Sequence, residues 1–296
     1  MRKSVVAQDK TKFDLFNPLR LFVNRYNHNV ARQHLNTYPQ LAVFAFDHIG
    51  LCINHDGRYE NRALCLIKDY LESVISDLNK TVALDIGANI GNHSVYFSDL
   101  FEEVFAFEPN PRTFALLKFN SEHACFKKNI RCFNFGLSEK NSKLFFQASK
   151  SNVGGSRIVK DPKDRNDSDT FLIEVKRADD FSELYDRKIS LIKIDVEGHE
   201  LATLKGAKSL IEKNKPVILF EQHASDFSDG RSDVVDYLRA FNYRFLTIEK
   251  RFYFGERFVF RLAGLILRTV LGSQLTLIEK DYFQQRFYDM VVAVPK

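Results

Sequence analysis

Four carboxylates and one imidazole are crowded into two short stretches of this chain, residues 191–200 (LIKIDVEGHE) and 216–221 (PVILFE). Each stretch begins as a run of apolar, largely β-branched residues and ends in acidic ones. That is the pattern of a buried strand delivering its last residues to an open edge. Asp195 ends the first run, Glu197 and His199 follow in a turn that Gly198 permits, and Glu200 opens a helix. Glu221 ends the second run. Carboxylates and an imidazole at neighbouring strand ends are the groups that move protons to and from a hydroxyl. Like charges held close together raise at least one pKa and produce a usable base. The base is Asp195 or His199, with Glu197 and Glu221 binding or orienting the group acted upon. Glu200 has a second explanation, because the dipole favours an acid in a first helical turn. Asp195, Glu197, His199 and Glu221 are also a hard-cation donor set, but nothing in their spacing demands an ion and no metal is assigned. Lys193, on the same strand face as Asp195, needs a partner, and Asp195 or Glu221 is the expected one.

A second cluster lies upstream. Residues 83–91 (ALDIGANIG) pass from a strand into a helix, with Asp85, Gly87 and Gly91 in a D-x-G-x-x-x-G spacing. The glycines allow a tight turn and a close backbone approach to a ligand, and the helix start offers free N–H groups. The spacing is not the G-x-G-x-x-G of dinucleotide sites, which disfavours a nicotinamide oxidoreductase. Asp85 suits a cationic amino acid group. Glu108 ends the next apolar run, 23 residues after Asp85. A carboxylate at about that distance accepts the two ribose hydroxyls of an adenosine.

These groups must be positioned by alternating strands and helices. Strands are expected at 82–86, 104–107, 130–135, 191–194, 217–220, 244–248 and 290–294, with helices at 93–100, 113–120, 201–213 and 234–241. Residues 144–147 and 171–175 bracket a polar stretch, 149–169, read as a loop. Such alternation implies a parallel sheet covered on both faces, binding its ligand at the strands' carboxyl ends. Upstream, Asn17-Pro18 supplies a helix start, residues 43–46 and 51–53 read as short strands with Asp56-Gly57 as a turn, and 62–78 as an amphipathic helix.

Taken together, the DIGANIGNHS, FEPNP, LIKIDVEGHE and PVILFE blocks resemble the FkbM family of S-adenosylmethionine-dependent methyltransferases. The resemblance runs from Gly57-Arg-Tyr-Glu60 to Glu221, and the closing Val294-Pro295 also fits. It implies an α/β fold of class I methyltransferase (Rossmann-like) type, a seven-strand sheet with the last strand antiparallel. Residues 1–80 would form an N-terminal helix and cap and 81–296 the methyltransferase domain, with an insertion at 249–286. The cofactor would be S-adenosyl-L-methionine. Asp85, Gly87, Asn89 and Gly91 would line its methionine end, and Glu108, Pro109 and Asn110 its ribose. Residues 134–137, with Gly136 where Ala is more usual, would lie near the adenine. Tyr59 and Glu60 would cap the pocket, and 152–156 would lie near its mouth. The implied reaction is O-methylation of a hydroxyl, on a sugar or glycan acceptor. The alternative is a non-catalytic S-adenosylmethionine-binding module recruited through basic segments, which would not need Asp195, Glu197, His199 and Glu221.

Composition sets the outer bounds. The chain has 296 residues, 45% hydrophobic and 27% charged, which is globular and excludes a disordered chain. Its net charge of +5 is too mild to argue for nucleic acid. The excess sits in residues 1–35 and 250–271, and the latter interleaves Arg251, Arg257, Arg261 and Arg268 with Phe and Leu. A basic aromatic amphipathic segment suits an anionic membrane surface, a substrate lid or a homodimer contact with the 17–35 helix. Cys52, Cys65, Cys125 and Cys132 lack zinc-site spacing. With no signal-peptide pattern and no apolar run of spanning length, a cytoplasmic protein is expected, with a peripheral place at the inner membrane face if 250–271 binds lipid.

Overall fold

The structure, a computed structural model, describes residues 16–148, 155–159, 170–228, 231–251 and 274–296. Its elements run α1 Asn17–Arg32, α2 His48–Asp56, α3 Asn61–Val74, β1 Val82–Ile86, α4 Asn92–Ser98, β2 Glu103–Phe107, α5 Pro111–His123, β3 Ile130–Phe133, β4 Gly136–Leu137, β5 Ser142–Gln147, β6 Arg157–Val159, β7 Thr170–Lys176, β8 Ile189–Ile194, α6 Glu200–Gly206, α7 Lys208–Asn214, β9 Val217–Gln222, β10 Phe227–Ser228, β11 Arg231–Ser232, α8 Asp233–Ala240, β12 Tyr243–Arg251, β13 Gln274–Glu279 and β14 Tyr288–Pro295.

Eight strands form the main sheet in the order β13-β12-β14-β9-β8-β1-β2-β3. β3, β2, β1, β8 and β9 are mutually parallel. β14 runs antiparallel to both β9 and β12. The chain winds outward from β1 to β3, then returns to the other side of β1 with β8. The boundary between β1 and β8 is therefore the topological switch point, where the following loops diverge and leave a crevice. Every residue of β1 and of β8 is buried, because a central parallel strand is covered on both faces. One apolar cluster, with Ile86, Phe107, Ile194 and Phe220, fills one face. A second, with Ala83, Val104, Leu191 and Leu219, fills the other, and α3 contributes Leu64, Ile67 and Leu71 to it.

The structure departs from the sequence expectation in several places. Residues 51–53 are not a strand but lie inside α2, and 43–46 belong to no strand. The Asp47 side chain accepts the Ile49 N–H at 3.1 Å and starts the helix, while Gly57, left-handed at φ 79°, ends it. Phe16, rather than Asn17, is the N-cap of α1, without a side-chain cap bond. The expected helix at 201–213 breaks into α6 and α7 after Gly206, where a Cβ would stand 1.9 Å from the Ser138 carbonyl oxygen. The expected strand 130–135 stops at Phe133, and the chain leaves for a second sheet of order β4-β7-β5-β6. Strand β6 lies within the stretch read as a loop. The main sheet has an eighth strand, β13, inside the expected 249–286 insertion, pairing antiparallel with β12. The expected amphipathic helix of 250–271 falls almost wholly on 252–273, outside the described residues. Among the described residues no helix is long and apolar enough to cross a membrane.

Candidate functional site

A cleft opens at the switch point, over the carboxyl ends of β1, β2, β8 and β9. It is lined by Gly87, Asn89, Glu108, Pro109, Asn110 and Gly136 on one side. Asp195, Glu197, His199 and Glu221 line it on the other, with Tyr59 and Glu60 above them. Twelve of the fourteen residues expected at the site thus meet in one cavity; Asp85 and Gly91 do not line it. Of the 152–156 loop, Gly155 and Ser156 are described, and Ser156 lines the cleft.

The two turns that flank the cleft are built against each other. Gly87 has φ +76°, and a Cβ there would lie 1.8 Å from the Asp195 carbonyl oxygen. The Asp195 N–H donates to the Ile86 carbonyl at 3.0 Å. Only glycine lets the β1 turn pass this close to β8. Gly87→Ala is expected to cost roughly 3 kcal/mol, from the left-handed strain plus the backbone overlap. Urea unfolding measures it, and a variant as stable as the parent would contradict the close approach. Gly91, also left-handed at φ +88°, serves packing instead: its Cβ would meet Leu117 at 2.8 Å.

Glu108 ends β2 with its carboxylate fixed by backbone donors. Oε2 accepts the Asn89 N–H at 3.0 Å and Oε1 the Asn110 N–H at 2.8 Å. Burial pushes its carboxyl up to about 7, against the pull of those two hydrogen bonds. Asn134 Nδ2 donates to the Glu108 carbonyl at 2.9 Å and pins the strand end.

Asp85 faces the interior rather than the cleft. It is fully buried, takes a hydrogen bond from Ser94 Oγ at 2.6 Å and pairs with Lys193 Nζ at 3.3 Å. Lys193 Nζ also meets Asp195 at 3.2 Å and donates to the Gly87 carbonyl at 3.0 Å. Of its two expected partners Asp195 is there and Glu221 is not; the second partner is Asp85, which sits directly opposite it in the β1–β8 register. Burial alone would lower the lysine, but Asp195 and Asp85 outweigh it and hold Lys193 above the ordinary lysine range. One buried cation therefore ties the glycine turn, the interior acid and the cleft acid together.

The acidic wall comes from the ends of β8 and β9. Glu197 is left-handed at φ 51° and Gly198 at φ 90°, a tight turn that brings Glu197 back over β9. Burial pushes the Glu221 carboxyl up to about 9, reinforced by the charges of Asp195 and Glu197. Burial and Asp195 raise Glu197 as well. The His199 ring meets Ser138 Oγ at 2.9 Å, and burial lowers its pKa. Glu200 accepts the Gly198 N–H at 3.1 Å, closing the turn it opens. Above the wall, the Tyr59 N–H and carbonyl bond the Asn92 side chain at 3.2 and 3.0 Å. Glu60 approaches His93 Nε2 at 3.1 Å.

His223 was not among the expected residues. Its Nε2 lies 3.4 Å from Glu197 Oε2 and 3.5 Å from Glu221 Oε2. The signal was its place two residues after Glu221, hence on the same side of β9. Thr113, also unexpected, lines the cleft from α5.

Residues 85–245, more than half of the chain, match the family described as the Methyltransferase FkbM domain. The chain belongs to the FkbM methyltransferase family. Among curated proteins, it is 34% identical over 144 residues to the hexuronic acid methyltransferase AglP of Haloferax volcanii, a match covering 48% of this chain and 56% of that one. It is 27% identical over 143 residues to Methyltransferase 1 of Beauveria bassiana, covering 42% and 57% respectively. The chain thus spans a little over half the length of both relatives. A solved FkbM methyltransferase from Methylobacillus flagellatus superposes over 93% of this chain and 60% of that one, at 18% identity and a TM-score of 0.46.

S-adenosylmethionine is the cofactor that membership of the FkbM family supports. The cleft fits such a group on its own terms. Asn89 Oδ1 and Thr113 Oγ1 are buried, line the cleft and, among the described residues, lack a hydrogen-bond partner. Buried polar atoms of this kind are ordinarily satisfied. The Glu108 carboxylate retains unused lone pairs beside them.

Proposed function

We propose that this chain is an S-adenosylmethionine-dependent O-methyltransferase acting on a hydroxyl of a sugar or glycan. The observation that carries the reading is the meeting of Asp195, Glu197 and Glu221 across one cleft from the Gly87–Asn89 turn and Glu108. A carbohydrate acceptor is supported by the similarity to a hexuronic acid methyltransferase. Three crowded carboxylates cost stability unless they act on something, which weighs against a module that only binds its cofactor.

In this reading Glu108 accepts the ribose hydroxyls, and the Gly87–Asn89 turn lies along the methionine end. Asp85 acts at one remove, by holding Lys193 against Asp195 and the Gly87 carbonyl. The cofactor supplies a methyl group already activated on a sulfonium, so alignment and proton removal are what the protein must add. Asp195, beside the glycine turn, takes the hydroxyl proton as the new bond forms. Glu197 and Glu221 hold the acceptor's neighbouring oxygens.

The reaction is tested with cofactor labelled in its methyl group and a panel of neutral and uronic-acid glycans. Labelled product that survives alkali supports a methyl ether. Loss of label in alkali would mean an ester on a carboxylate and would overturn the hydroxyl assignment.

Ribose binding makes a second expectation. The Glu108 carboxyl is raised well above its ordinary range, to about 7, so it takes up a proton as pH falls through neutrality and loses acceptor capacity. S-adenosylmethionine affinity is expected to weaken by up to tenfold per pH unit below about 7. Glu108→Gln is expected to bind roughly tenfold or more weakly and without that pH dependence. Calorimetry at pH 6 and pH 8 compares them, and parallel profiles would remove Glu108 from the ribose site.

A further inference from the structure

We propose that Glu197, Glu221 and His223 bind one divalent transition-metal cation on the acceptor side of the cleft. Each offers one ligand atom, and the three atoms lie within 4.8 Å of one another. The His223–Glu197 and His223–Glu221 separations are 3.4 and 3.5 Å. Charge-assisted hydrogen bonds are shorter, about 2.7–2.9 Å. Two ligands held about 2.1 Å from a tetrahedral ion, in contrast, stand about 3.4 Å apart. His223 Nε2 is correspondingly buried and, among the described residues, has no hydrogen-bond partner.

The scaffold holds these donors in place. Glu221 and His223 project to the same side at the end of β9. Gln222 between them is buried and locked from the other side by Ser232 Oγ at 2.6 Å and Asp226 Oδ2 at 2.8 Å. Glu197 is brought over them by the left-handed pair Glu197-Gly198. The His223 ring rests on Phe287, centroids 5.1 Å apart. The ring also accepts the Asp226 N–H of the turn that follows, a bond that ligation through Nε2 gives up. Ligation through Nε2 places the ring proton on Nδ1, and the Asp226 N–H then relies on the His223 carbonyl, which accepts it at 3.1 Å.

The donor set indicates the class of ion. One imidazole with two carboxylates is harder than a thiolate site and softer than an all-oxygen one, which favours Mn²⁺, Fe²⁺ or Zn²⁺. A cation also relieves the repulsion between two carboxylates that the fold presses together. Three protein ligands leave coordination positions open, as catalytic metal sites do.

The role of the ion, though not its binding, rests on the reaction proposed above. An acceptor oxygen on the cation loses its proton more readily. That proton passes to Asp195, the oxygen forms its bond to the methyl carbon, and the carbon–sulfur pair leaves with sulfur. Neighbouring acceptor oxygens, a second hydroxyl or a carboxylate, would complete the ion's shell.

The test is a titration of the full chain, stripped of metal with chelator, followed by the electron paramagnetic resonance signal of free Mn²⁺. One Mn²⁺ per chain is expected for the parent, and Glu197→Gln and His223→Gln should each weaken it tenfold or more. S-adenosylmethionine binding by calorimetry and a melting curve are measured on all three proteins. Retention of cofactor by the variants shows that the cleft is intact, so loss of metal and failure of the methyltransferase reading are told apart. A parent that binds no Mn²⁺ at millimolar concentration would overturn the proposal. So would variants that bind as tightly as the parent, since the ion would then sit adventitiously on acidic surface.

Discussion

Asp195→Asn is expected to lower methyl transfer by roughly two to four orders of magnitude, the usual reach of a positioned general base, while S-adenosylmethionine affinity changes little. The sequence left Asp195 and His199 as equal candidates, and their surroundings separate them. The Asp195 side chain is 40% exposed to the cleft. Its backbone is in contact with the Gly87 turn, along which the sulfonium end of the cofactor is proposed to lie. The His199 ring is engaged by Ser138 Oγ on β4's side of the cleft, and burial lowers its pKa. His199→Ala is therefore expected to cost less than about tenfold, a lost positioning contact rather than a lost base. The asparagine variant should keep its fold, because Lys193 retains Asp85 and the Gly87 carbonyl as partners. Single-turnover rates with saturating cofactor distinguish the two. Parental rates in Asp195→Asn would refute the assignment, and an inactive His199→Ala beside an active Asp195→Asn would transfer the role to the histidine.

The acids were legible in the sequence for a reason that also explains what was not. A central parallel strand is mostly apolar, so a carboxylate that closes an apolar run marks the strand's carboxyl end, and Asp195, Glu108 and Glu221 all stand out this way; Asp85 and Lys193, inside β1 and β8, are the exceptions. Which ends are neighbours is a property of strand order, not of any one stretch. Hence Asp85 was assigned to the cofactor, although its position opposite Lys193 across β1 and β8 makes it the lysine's interior partner. His223 escaped for the same reason: alone it is one histidine in a polar turn, and it becomes part of a cluster only when Glu197 folds back over β9. Residues 51–53 misled because an apolar run of that length has no period. What made it helical was the Asp47 cap and Gly57, at either end of the run. In the second sheet the runs 144–147 and 171–175 fall on β5 and β7, but β6 and β13 lie in polar or basic stretches, and which strands pair is set by residues distant along the chain.

Lys193→Met is expected to destabilise the protein by about 3–5 kcal/mol, because it leaves a buried carboxylate without its counter-charge. Asp85 is fully buried and Lys193 nearly so, and the only other side chain bonding Asp85 among the described residues is that of Ser94. For a chain of this size such a loss lowers the melting temperature by roughly 10 °C. The double variant Asp85→Asn/Lys193→Met removes both charges, and much of the loss should return, by up to about 3 kcal/mol of coupling. A hydrophobic stem of similar length in place of the lysine keeps the packing, so the difference between single and double variants reports charge rather than volume. The double variant does not restore the site, however. Asp195 still lacks its cation and the Gly87 carbonyl its donor, so methyl transfer should stay low even where the melting temperature recovers. That split between stability and turnover identifies Lys193 as a positioning residue that joins the interior to the cleft. A single variant that melts within about 2 °C of the parent would mean the burial of this triad contributes less than 1 kcal/mol, and equal recovery of stability and turnover in the double variant would reduce the triad to a structural role.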